Sequence, residues 1–138
     1  MGNEISKRNI TSEMQETGFF STVDASTMEG KKTLYKALNE STPLREHVGE
    51  VLSLKNIIVQ EAEVTTEEGD VVTQPRTSLI TEDGTVYAAT SNGVFSAVRN
   101  IIGIFGLPST WDGPLKVVVE EKATRRNSMY RYLTLSLA

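Results

Sequence analysis

A chain of 138 residues with 38 % hydrophobic and 23 % charged side chains has the balance of one ordinary globular domain, and its formal charge of −4 argues against a uniformly basic nucleic-acid binder. The absence of cysteine excludes disulfides, thiolate metal sites and a cysteine nucleophile, and the single histidine, His47, leaves no imidazole set for a zinc or haem centre. No apolar run approaches the roughly 18 residues that cross a bilayer as a helix, and Lys7 and Arg8 precede no apolar stretch, so a cytoplasmic protein without a membrane partner is expected.

Residues 1–18 are polar, mixed in charge and without periodicity. They predict a flexible N-terminal arm ahead of a single domain over residues 19–138, and the chain is expected to be a monomer or a homo-oligomer held through that arm. Phe19 to Val23 reads as a short strand. Two adjacent phenylalanines cannot both face the core of a strand covered on one side, which leaves one of them for a barrel edge, a second subunit or a ligand. Ser26 and Glu29 stand in the S-x-x-E relation of a capping box, with Met28, Leu34, Ala37 and Leu38 as a short apolar side. A helix over 27–39 follows, with Lys31, Lys32 and Lys36 facing out and Pro43 beyond its end.

Val51 to Val64 is the longest β-like stretch, predicted as a strand over 50–64. Its apolar pattern changes parity at Lys55–Asn56, the mark of a bulge, and the first strand of a small barrel must bend to serve both of its sheets. Glu67, Glu68 and Asp70 flank Gly69 in a polar turn that reads as a solvated hairpin tip. Strands over 71–80 and 85–90 then meet across Glu82-Asp83-Gly84. Ser91 offers a cap to a helix over 92–105, whose stripe is Val94, Val98, Ile101, Ile102 and Phe105, and Gly106 and Pro108 close it. After a loop carrying the sole tryptophan, Trp111, strands are predicted over 114–122 and 128–137. Inward leucines at 133, 135 and 137 turn Tyr130 and Tyr132 outward, while Arg131 interrupts the inward set. This β-β-β-α-β-β order is that of a five-stranded OB-type barrel, mainly β, with an extra N-terminal strand and helix. Leu52, Leu54, Ile58, Leu79, Val94, Val98, Ile102, Val117, Leu133 and Leu135 are its expected core.

No nucleophile elbow, zinc-protease helix, phosphate loop or dinucleotide fingerprint occurs, and His47 lies between Glu46 and Glu50 with no second imidazole. The expectation is therefore no enzyme, no metal and no cofactor. Charge is unevenly spread: residues 1–74 hold seven cations against thirteen carboxylates, residues 75–138 seven against five. A locally positive face can form on the second half. There Tyr87, Tyr130 and Tyr132 on strands and Trp111 in a loop are interleaved with Arg76, Lys116, Lys122, Arg125, Arg126 and Arg131. Rings that stack bases and cations that meet phosphates are what a sequence-tolerant single-strand binder needs. Tyrosine also favours half-buried strands for their own sake, so an OB-like protein-interaction module without nucleic-acid binding is the alternative.

Three stretches carry a family resemblance: Thr22-Val-Asp with Met28-Glu-Gly-Lys; Ile80-Thr-Glu-Asp-Gly-Thr-Val-Tyr running on through Ser91; and Leu115-Lys-Val-Val-Val followed by Tyr132-Leu-Thr-Leu-Ser-Leu. In their order and spacing, over most of residues 22–137, the chain resembles the single-stranded-DNA-binding proteins of small protein-primed tailed phages of Gram-positive bacteria. The resemblance implies coating and protection of displaced strands during phage DNA replication in the infected host's cytoplasm, with phage replication proteins as further partners and without catalysis. The arm at residues 1–18 is longer than the family pattern, and Trp111 sits in a loop the resemblance does not reach.

Overall fold

The computed structural model describes residue 12 and residues 18–123 and 131–138. The arm expected over residues 1–18 therefore lies, apart from Ser12 and Gly18, outside the described residues. The elements in chain order are β1 (Phe19–Ser21), α1 (Met28–Asn39), β2 (Thr42–Pro43), a 3-10 turn (Leu44–His47), β3 (Val51–Thr65), β4 (Val71–Thr81), β5 (Val86–Thr90), α2 (Asn92–Phe105), a second 3-10 turn (Pro108–Thr110), β6 (Leu115–Ala123) and β7 (Arg131–Leu137).

The sheet grows from β3. Leu52 and Leu54 are buried in the main core, as are Ile57 and Val59, so the inward side changes from even to odd positions. The change is made where Leu54 faces Thr81 and Asn56 faces Ile80, which leaves Lys55 without a partner on β4. This is the bulge the parity slip predicts, and it lets one strand bend without losing its core side. Before it, Val51–Leu54 pair with Val118–Leu115 of β6; after it, Ile58–Gln60 pair with β1. Among the described residues, β3 beyond Gln60 and β4 before Arg76 pair only with each other, apart from the Glu61 N–H that donates to the Gly18 carbonyl (3.1 Å), so Glu61 to Pro75 is a two-stranded ribbon. It carries Glu61, Glu63, Glu67, Glu68 and Asp70 and no lysine or arginine.

The hydrogen-bonded order is β2-β5-β4-β3-β6-β7, antiparallel throughout except for the parallel pair β2–β5. The mainly β character holds, and the expected five-stranded OB-type barrel takes the form of an open, curled mixed sheet of more than five strands with two helices: no β5–β7 pairing joins its ends among the described residues. Each end is occupied by something else. Thr42 and Pro43 take the edge of β5. At β7, Ser91 Oγ donates to the Leu133 carbonyl (3.1 Å) and Thr134 Oγ1 to the Gly93 carbonyl (3.3 Å), so the first turn of α2 lies against the strand.

Around β1 the sheet is covered on both faces, which resolves the paired phenylalanines. Phe20 is buried in the main core with Val94, Val98, Ile101 and Ile102 of α2; Phe19 packs on the opposite face with Ala37, Ile58, Ile80 and Val86, beneath α1. Every expected core residue is buried, although Ile58 belongs to the cluster under α1 rather than to the main core. Phe105, expected in the α2 stripe, Met28, expected on the apolar side of α1, and Leu137, expected inward at the end of the last strand, are exposed. The α1 cap also differs: Thr27, not Ser26, accepts the Gly30 N–H (3.0 Å), because the Ser26 hydroxyl and N–H are both taken by Asp24. Between β4 and β5, Gly84 adopts φ +88° and Asp83 accepts from the Thr81 hydroxyl and the Thr85 N–H, which hold its carboxyl below the usual range.

Ser91 carries two jobs, accepting the Val94 N–H (3.2 Å) at the helix cap and bonding β7. Ser91→Ala is therefore expected to lower stability by about 1 to 2 kcal/mol, read as a shift of the urea midpoint, since a lost cap alone is worth ~1 kcal/mol. An unchanged midpoint would mean that neither bond contributes.

Candidate nucleic-acid interface

The strand alternation of β6 and β7 sorts their side chains cleanly. Val117, Val119, Leu133 and Leu135 go inward and are buried; Lys116, Val118, Glu120 and Lys122 share the other face with Tyr132, Thr134 and Ser136. Register then assembles that outer face: Lys122 lies opposite Tyr132, Glu120 opposite Thr134, Val118 opposite both Ser136 and Val51, and Lys116 opposite Ser53. Six residues separate the two lysines, a run of about 20 Å along a strand.

This plate combines two exposed ammonium groups with an exposed tyrosine ring, 41 % accessible. Its one carboxylate, Glu120, is occupied: Ser136 Oγ donates to it and the Lys122 ammonium lies 3.8 Å away. At the Tyr132 end, Ala123 pairs with Arg131. Arg125, Arg126 and Tyr130 lie outside the described residues, as does the Arg131 side chain.

The other predicted site residues are placed elsewhere. Tyr87 lies opposite Leu79 and packs against the main core, with its ring T-shaped on His47 (centroids 4.8 Å, 77°). Burial, followed by the charges of Asp83 and Glu50, pushes the Tyr87 phenol above its ordinary value. His47 Nδ1 in turn lies 2.7 Å from Glu50 Oε2, so this ring sits among carboxylates rather than cations. Arg76 donates to Ser41 Oγ (2.7 Å) and Ser78 Oγ (3.3 Å), on the side of β4 that carries Ile80 and α1. That same packing buries Ile80 and Val86 and covers the outer face of β4, β5 and the Ile58 part of β3, leaving the outer face of β6, β7 and the start of β3 at Val51 and Ser53 as the open one.

Trp111 is anchored. Its Nε1 donates to the Phe105 and Gly106 carbonyls, both at 3.1 Å, satisfying acceptors at the end of α2, and its ring packs half-buried against the core. Beside it opens a hollow of about 170 Å³ lined by Lys55, Glu82, Pro108, Gly113 and Pro114. Lys55 was absent from the predicted site. Its only sequence signal was the parity slip at Lys55–Asn56, which announces a bulge but not what the bulge turns toward.

Among the described residues, no helix is long and apolar enough to cross a membrane, and no group of three His, Cys, Asp or Glu could hold a metal ion. A family model described as Phage Single-stranded DNA-binding protein matches residues 13–138. No curated protein and no solved structure matches the chain.

Proposed function

Because the chain belongs to the Phage Single-stranded DNA-binding protein family, we propose that it is a sequence-tolerant, non-enzymatic binder that coats and protects displaced strands during phage DNA replication. It acts in the cytoplasm of the infected bacterial host, alongside the phage replication proteins. The order β3-β4-β5-α2-β6-β7 supports an OB-type framework, and the binding domain is proposed to span 19–138 behind an N-terminal arm. The observation that carries the reading is the outer plate, where Lys122 and Tyr132 are cross-strand neighbours and Lys116 lies on the same face of β6. Cations there meet phosphates, the ring stacks a base, and neither contact depends on sequence. Arg125, Arg126, Arg131 and Tyr130 are proposed as further DNA contacts, whereas Arg76 and Tyr87 are held away from the plate by their own partners.

The test is affinity for oligo(dT) across a salt series. Each phosphate contact on a single strand contributes about 0.7 to the slope of log K against log salt, so Lys116→Ala with Lys122→Ala should flatten the slope by roughly 1.4. A slope equal to the parent's would put the phosphate path on another face. A parent with no affinity for oligo(dT) would leave the protein-interaction module as the better account.

A further inference from the structure

The bulge in β3 adds a lysine to the core strand at the one point where the strand has no partner for it. Lys55 has no pairing residue on β4, is exposed, and is in no ion pair among the described residues. Bulges recur beside functional sites because they re-aim a side chain, and this one presents an ammonium to the hollow in front of Trp111.

Three further features make the hollow more than a surface irregularity. The indole is anchored, with its N–H donated to two helix-end carbonyls and its side chain packed half-buried against the core. Of the remaining walls, Pro108, Gly113 and Pro114 bring no charge or side-chain N–H, and Glu82 brings a carboxylate. The hollow also continues the plate: Leu54 pairs with Leu115 and Ser53 with Lys116, so Lys55 and Lys116 stand near each other at the same end of β6.

We infer that the Trp111–Lys55 hollow seats a nucleobase of the bound single strand, with the indole as stacking partner and Lys55 as the contact for the adjoining phosphate. This rests on the DNA-binding reading above and extends the path of the strand from Tyr132, along β6, to the far end of the plate. The Glu82 carboxylate fixes the orientation. It repels phosphate and accepts hydrogen bonds, so the base edge, with its N–H groups, faces Glu82 while the backbone stays on the Lys55 side.

Trp111 is the sole tryptophan, so its emission reports this site alone. The full chain is titrated with end-labelled oligo(dT), following label anisotropy and indole emission in the same samples. The expected result is quenching of Trp111 that saturates together with the anisotropy. For Lys55→Ala, an exposed substitution, the salt slope should fall by about 0.7 relative to the parent, with weaker quenching at matched occupancy. If anisotropy rises while indole emission stays constant, or if Lys55→Ala keeps the parent's slope, the hollow is not on the strand's path and only this inference falls. If the parent gives no anisotropy change, the DNA-binding reading falls with it.

Discussion

Gly93→Ala is expected to destabilise the protein by about 1 to 3 kcal/mol, although alanine is by propensity the better helix former by roughly 1 kcal/mol. A Cβ at position 93 would come within 2.3 Å of the Leu133 carbonyl oxygen and 3.3 Å of its carbon, and these are backbone atoms of β7 that no rotamer change can move aside. To accommodate the methyl, α2 must draw back from β7. That strains the Ser91 and Thr134 bonds that hold the helix start in the gap of the open sheet. Urea denaturation checks it through the sign of the midpoint shift: a lower midpoint marks close docking of α2 on β7, and a higher one would mean that propensity alone acts at this position.

Tyr132→Ala is expected to weaken oligo(dT) binding by about 1 to 3 kcal/mol, a loss of roughly 5- to 150-fold, with the same loss at low and high salt. Stacking releases no counterions, so the salt slope should equal the parent's, in contrast to the lysine variants. Tyr132→Phe keeps the ring and should keep most of the affinity. A Tyr132→Ala variant with a flattened slope and little loss at high salt would identify the position as a neighbour of phosphate instead. The two predictions are coupled through geometry: the Cβ built on Gly93 would also lie 2.9 Å from Tyr132 Cδ2, so the glycine gives the ring its resting place above the helix start. Gly93→Ala should therefore weaken DNA binding as well as stability.

Much of this architecture was legible because it is written in short-range pattern. Ser91 and Gly106 bracket α2 at 92–105 as their cap chemistry predicts, the Asp83-Gly84 turn sits where expected, and the alternation of β6 and β7 assigns Lys116, Lys122 and Tyr132 to one face. What escaped was set by long-range contact. A two-residue strand such as Thr42–Pro43 has no period to detect, and its parallel partner, Tyr87–Ala88, is far away in sequence. The covering of β4 and β5 by α1 was hinted at only by Phe19 beside Phe20, since a strand with large apolar groups on both sides needs two covered faces. Lys55 and Trp111 are brought together by the register of β3 with β6, which no local motif in either segment encodes.

The acidic ribbon has a consequence that belongs to the molecule's field rather than to any contact. In the antiparallel pairing of β3 with β6, moving along β3 from Val51 toward Leu54 means moving along β6 from Val118 back toward Leu115. The ribbon at Glu61 to Pro75 and the Lys122–Tyr132 corner therefore lie toward opposite ends of the sheet. The ribbon segment Glu61 to Pro75 holds five carboxylates and neither lysine nor arginine, whereas Lys122 stands exposed toward the other end. A polyanion exerts a torque on such an object before touching it, turning the ribbon away and the plate forward. That rotation acts within about a Debye length, near 8 Å at physiological ionic strength, so it governs how often a collision succeeds and fades as salt is added. An acidic protein can in this way meet a strand of its own sign of charge the right way round.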